Sequence, residues 1–390
     1  MSKPWLYRPN GAVIERLEWM TDISTAFDAG EQRIALRAHP RRTFEFQVGL
    51  IDRERRTAEN LLHGWQAQSF DLPVWMDCQA LQAAADASDT VLLVDTTTRD
   101  FRAGGKVLIS DGTPFAHELG EVASLTDSAI TLADPLASAW PAGAEVYPVR
   151  TARLEEDLTL ARFTGGTSYG RLRFECTDIS AWPPATGGTT YRGFPVLTQA
   201  PNWTEDIEQG FVRKMARFDP GTGPALFEEE GSGALMMQTH RWLLDGRAEI
   251  DAFRRWLYAR RGMLAAFWLP TFALDFEVVA AVGSGDTTIQ VEHCGYTDLI
   301  AQDIGRRDVR IVLRNGTAYH RRITGSTELS ATVEQLTIDT ALGAAVAPAD
   351  IASVSYLDLV RLAGDGAEII WHGWDLAEAR LNTRGARNDL

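Results

Sequence analysis

The chain repeats itself, and that repetition constrains its fold more than any single motif. The stretch Gly285–Glu292, GDTTIQVE, is close to Ser88–Asp95, SDTVLLVD. Each opens on small polar residues and continues in β-branched and apolar ones, which is a strand signature. The order of features around them is repeated too. TFEFQVGLIDRERRTAENLLHGW precedes DLPVW, and ALMMQTHRWLLDGRAEIDAFRRW precedes AAFWLP. In each half a strand runs into an acidic turn, then a helix closed by tryptophan, then a short strand with another tryptophan. On this reading Trp65 matches Trp256 and Trp75 matches Trp268. Further along, Asp89 matches Asp286, Gly112 matches Gly316, Phe115 matches Tyr319, Leu136 matches Leu342, and Arg153-Leu154 matches Arg361-Leu362. The offset drifts upward in small steps, as insertions in loops would produce. Chance likeness between β-rich stretches is the plain alternative, but it does not account for a conserved order of elements. The reading is an internal duplication of a unit about half the chain long.

A chain of 390 residues exceeds one comfortable core, so two or more domains are expected. Short β-branched runs alternate with Gly, Asp, Pro and Thr, the texture of a mainly β protein. Two segments break that texture. Asp52–Gln68 places Leu61, Leu62 and Trp65 near helical spacing, and Asp245–Gly262 does so with Ile250, Phe253, Trp256 and Leu257. After the second tryptophan of each half come five or so short strands with hairpin signals at DGT or NGT, read as a small barrel. The expected fold is therefore mainly β: two tandem units, each a sheet with one helix and an inserted small β-barrel. The first unit takes residues 1–87 and 151–181, with its barrel at 88–150. A linker spans 182–193. The second unit takes 194–284 and 359–381, with its barrel at 285–358, and 382–390 form a tail.

Several function classes lack their residues. The net charge of −15 argues against general nucleic-acid or anionic-membrane binding. Three cysteines, none in a C-x-x-C spacing, give no disulfide framework and no metal cage. His293-Cys294 are neighbours on a strand and point to opposite faces. No signal-peptide pattern and no apolar run long enough to span a membrane is found. The Gly-rich stretches Gly165–Gly170 and Gly221–Ala234 fit neither phosphate-binding pattern. Acidic clusters such as FEEEG read as solvated turns. No enzyme and no cofactor is expected.

One contrast between the halves is informative. The first carries Arg33, Arg37, Arg41 and Arg42, whereas the corresponding region of the second carries Glu228, Glu229 and Glu230. Two independently solvated faces would explain this. The sharper expectation is that the faces meet between neighbouring copies in a ring, where charge complementarity sets register.

The segment LEWMTDISTAFDAGEQRIALRAHPRRTFEF, Leu17 to Phe46, resembles the N-terminal region of tail-tip proteins of long-tailed phages. There a W-x-T-D-like segment precedes a G-x-E-Q-R-x-A-L-R-x-x-P-R-R strand. The resemblance implies β-sandwich ring domains related to tail-tube subunits, flanked by a helix. It implies a virion structural protein, distal tail or baseplate hub in type, made in the bacterial cytoplasm and placed at the end of the tail tube. Its partners would be its own copies, the tail tube protein, and hub and fibre proteins, with DNA passing through a channel without specific binding. A family member often has one ring domain and one carbohydrate-binding-like domain. Here the ring-type unit is read twice, so three chains in a pseudo-sixfold ring and six chains in a hexamer are both open. A carbohydrate-binding receptor-recognition protein is the alternative function, and a glycan-cleaving enzyme ranks last.

Overall fold

Antiparallel pairing organises the chain in the computed structural model, which describes residues 2–25, 31–155, 157–203, 206–212, 215–229, 235–301 and 303–386. The protein is mainly β, 47% strand and 11% helix. The two main helices lie where their apolar spacing places them: α1, Asp52–Trp65, and α2, Arg247–Arg260.

Eight strands run side by side in one sheet. Their order is Ala161–Arg162, Thr167–Cys176, Arg41–Ile51, Val13–Glu18, Gly366–Trp371, Leu376–Gly385, Leu235–Asp245 and Glu208–Val212. The first four come from the N-terminal half and the last four from the C-terminal half. Register repeats between the halves. Glu18 faces Arg41 as Val212 faces Leu235. Ile51 faces Thr167 as Asp245 faces Leu376. Ala161 faces Tyr169 as Ile370 faces Glu378. The hairpins between the first two strands of each half also agree, with Thr21 facing Ala35 as Met215 faces Glu229.

The inserted modules repeat in the same way. One pairs Val91–Leu93, Lys106–Ser110, His117–Thr126, Ala129–Leu132 and Glu145–Leu154; the other pairs Thr288–Glu292, Asp308–Leu313, Ala318–Ser330, Val333–Ile338 and Ile351–Leu362. Each has a register shift, between Val122 and Ser124 in one and between Ile323 and Gly325 in the other, and the second has further shifts between Glu328 and Ser330 and between Val312 and Leu313. Ala85 bridges Trp140 as Val282 bridges Val346. Asp89 accepts from the Asp86 N–H at 2.8 Å, and Asp286 from the Gly283 N–H at 2.8 Å. Each module has its own buried cluster, around Leu92, Ile109 and Val146 in one and Ile289, Ile311 and Val354 in the other. The large sheet has one core drawn from both halves, running from Trp5, Phe44 and Phe174 to Trp242, Phe253 and Trp371.

Three sequence matches need correction. Strand register sets Phe70-Asp71-Leu72-Pro73 against Phe267-Trp268-Leu269-Pro270, because Phe70 faces Ala152 as Phe267 faces Val360. Trp268 therefore corresponds to Asp71 and not to Trp75. Trp65 ends its helix, whereas Trp256 lies inside one of equal length, so these two do not correspond either. Phe115 falls in a turn while Tyr319 lies on a strand. An aromatic side chain at a similar place in each half does not imply the same backbone position. The strand Leu376–Gly385 also continues past residue 382, where a tail was expected. Its alternate residues are polar because one sheet face is open, while Leu381 and Thr383 are buried.

Candidate functional site

The residues expected to form ring contacts stand in different settings. Arg33 pairs with Glu31 and donates to the Met263 carbonyl at 2.9 Å. Arg37 donates to the Glu18 and Trp19 carbonyls at 3.1 and 3.4 Å. Arg41 is exposed, 3.6 Å from Glu175. Glu228 is exposed and faces Ala216 across the second hairpin; the backbone of Glu229 ends that strand. Glu230 lies outside the described residues.

Arg42 is corrected outright: it is buried and cannot meet a neighbouring chain. Its Nε donates to Glu15 at 2.7 Å and its Nη1 to Asp100. Glu15 also accepts from Arg254 of α2 at 2.5 Å and from the Trp371 indole at 2.9 Å. Asp100 accepts from Arg150 Nε at 2.7 Å, and Arg150 reaches Asp178 at 2.9 Å. Burial opposes the charge on Glu15, but Arg254 and Arg42 hold its carboxyl below the usual range. Asp100 is likewise held down, against burial, by Arg42 and Arg150. This network joins the two halves and the first barrel inside the chain. Nothing in their residue types separates Arg42 from Arg41. Strand alternation supplies the reason, since the two point to opposite faces.

The feature that points outward is the pair of sheet edges. Inside the chain the halves are joined by Val13–Glu18 pairing with Gly366–Trp371, from Val13 opposite Trp371 to Glu18 opposite Gly366. Leu17, Ala367 and Ile369 are sealed beneath this joint. At one end of the sheet Glu208–Val212 holds the place that Val13–Glu18 has in its half, and pairs only with Leu235–Asp245 among the described residues. At the other end Ala161–Arg162 holds the place of Ile370 and Trp371, and among the described residues pairs only with Thr167–Cys176. Each end is thus one half of the joint seen in the middle. Neither Glu208–Val212 nor Val13–Glu18 stood out as a strand in the sequence. The alternating pattern of VIERLE was the signal available, and EQGFV lacks even that.

The sheet face opposite the core is polar. Arg16 lies 2.9 Å from Glu368 and 3.4 Å from Glu45, and Arg171 and Arg241 pair with Glu45 and Glu378. Arginines and carboxylates alternate across this face, so no excess of either sign gathers on it.

Among the described residues no group of three His, Cys, Asp or Glu side chains is placed to hold a metal, and no helix is long and apolar enough to cross a membrane. Compared with protein-family models and with curated proteins, the chain matches none.

Proposed function

We propose that this chain is a non-enzymatic structural protein whose copies close into a ring by edge-to-edge sheet pairing. The ring would sit at the distal end of a phage tail tube. One observation carries the reading: the joint between the two halves is a heterologous strand pair, and among the described residues both of its half-faces are left open at the ends of the sheet. An open edge is a template for another strand. Repeating a head-to-tail contact closes a ring when the rotation allows. Three copies would give six similar units and pseudo-sixfold symmetry, suited to a sixfold tube. The register carries over residue by residue. Glu208 would face Ala161 of the next copy, Gln209 would face Leu160, Gly210 Thr159 and Phe211 Leu158. The polar face would line the channel, its charges neutralised in pairs, which suits passage of DNA without retention. The two inserted modules would point away from it and be free for hub and fibre proteins. The resemblance of Leu17–Phe46 to tail-tip proteins supplies the setting in the virion.

The test is the mass of the full-length chain across a concentration range, with images of the particles. Threefold rings around a channel are expected. A chain that stays monomeric at its highest soluble concentration, or closes as a twofold dimer, contradicts the reading.

A further inference from the structure

The first hairpin, Thr21–Thr25 with Glu31–Ala35, does not stand free; it clasps the other half of the chain. Thr21 donates to both Asp365 carboxylate oxygens, from its N–H at 2.6 Å and its hydroxyl at 2.7 Å. Trp19 N–H reaches the Asp365 carbonyl at 2.9 Å, and its ring meets Tyr258 edge-on at 5.6 Å. Arg33 reaches the Met263 carbonyl, and Arg261 donates back to the Arg37 carbonyl at 3.2 Å. The seat is thus the loop leaving α2 together with the turn before Gly366–Trp371. Gly262 sits there with φ of 67°, so close to Asp365 and Trp19 that a Cβ would collide.

The second hairpin, Met215–Phe218 with Leu226–Glu229, has the same register but, among the described residues, no seat in its own chain. Met215, Phe218, Leu226 and Phe227 are each more than half exposed. Four large apolar side chains on so short a hairpin call for a partner. Among the described residues nothing fills the equivalent seat in the N-terminal half either. It is a recess of about 460 Å³ between the loop leaving α1 and the chain after Leu154, lined by Trp65, Gln66, Gln68, Leu154 and Asp157 among others.

We infer that this recess receives the hairpin Met215–Glu229 of a neighbouring copy, as a clasp alongside the strand joint. The inference rests on the ring reading above. Phe227 stands where Arg33 stands in the first hairpin, and Met215 where Thr21 stands. The contact between chains is therefore apolar, set against Trp65 and Leu154, where the contact within the chain is polar. Hairpin and recess of one chain lie at opposite ends of the eight-stranded sheet, about 30 Å apart at the usual strand spacing. A disulfide needs Cα atoms within about 7 Å, so a bond between them must join two chains.

The experiment oxidises the full-length chain on a Cys294→Ser background, because Cys294 is the exposed native thiol. One variant carries Phe227→Cys with Gln68→Cys; a second carries Gly210→Cys with Thr159→Cys at the strand joint. All four positions are at the surface or half-buried, so folding should be retained. Both variants are expected to form covalent oligomers, and Phe227→Asp is expected to weaken assembly at least tenfold. Linkage at the strand joint without linkage at the hairpin would overturn the seat and leave the ring standing. Linkage at neither position would overturn both.

Discussion

Leu17 and Phe211 occupy the same position in two equivalent strands, yet Leu17 is fully sealed while Phe211 is 68% exposed. Leu17 is covered because Val13–Glu18 has a strand on each side, whereas Glu208–Val212 has one. The same residue position is a core site in one half and an uncovered edge in the other, and the two should answer mutation differently. Leu17→Ala should cost roughly 2–5 kcal/mol of folding stability. Phe211→Asp should leave thermal unfolding of the monomer nearly unchanged and abolish assembly. Unfolding curves and particle mass on both variants check this.

Arg42→Met should take one cationic partner from each of the buried carboxylates Glu15 and Asp100. Removing one member of such a network costs about 3–5 kcal/mol. Arg41→Met, one residue away on the exposed face, should cost less than about 0.5 kcal/mol. Denaturant titration separates them; equal effects would mean that the network does not hold the halves together.

His240 is buried where the first half carries Phe46, between Trp242 and Phe272, and neither ring nitrogen meets a protein partner. Burial pushes its pKa down to about 4. The unfolded chain therefore takes up the proton first, and stability present above about 6.5 is lost as the pH falls toward 4. The loss from this site reaches up to roughly 3 kcal/mol at pH 4. His240→Phe should flatten the stability profile between pH 7 and 4, leaving the contribution of His320, which is also lowered to about 4. An unchanged slope would show that His240 is not the acid-sensitive group.

Glu334 anchors the second barrel. Its carboxylate accepts from the backbone N–H groups of Cys294, Gly295, Tyr296 and Thr297 at 2.7–3.0 Å, and from the Thr297 hydroxyl at 2.7 Å. Burial opposes the charge, but the Thr297 and backbone bonds bring the pKa down to about 2. Glu334→Ala should destabilise this barrel by roughly 3 kcal/mol through unsatisfied N–H groups. The wild-type contribution is complete above about 4.5 and fades as the pH drops toward 2. Hydrogen exchange of the Thr288–Ile338 amides should rise in the variant, while that of Phe44–Leu50 should not.

The mainly β class and both helices were legible in the sequence because their periodicities are local. The matches of Asp89 with Asp286 and of Leu136 with Leu342 agree with the strand registers, in which Leu92 faces Ile130 as Ile289 faces Leu336. The tryptophan matches misled because an aromatic can fill one core from several backbone positions. The site was the least legible part. Charge drew attention to Arg42, which burial removes from the surface. Phe211 and Phe227, by contrast, resemble ordinary core residues until the sheet order leaves them uncovered among the described residues. Edge position depends on which strands pair across the chain, and no local pattern carries that information.

The central claim is most directly tested by electron microscopy of the assembled full-length chain at a resolution that follows strands. The account predicts a threefold ring in which Glu208–Val212 of each copy runs antiparallel to residues 158–161 of the next, with Phe211 opposite Leu158. A ring held by other surfaces, with both sheet edges facing solvent, would contradict it.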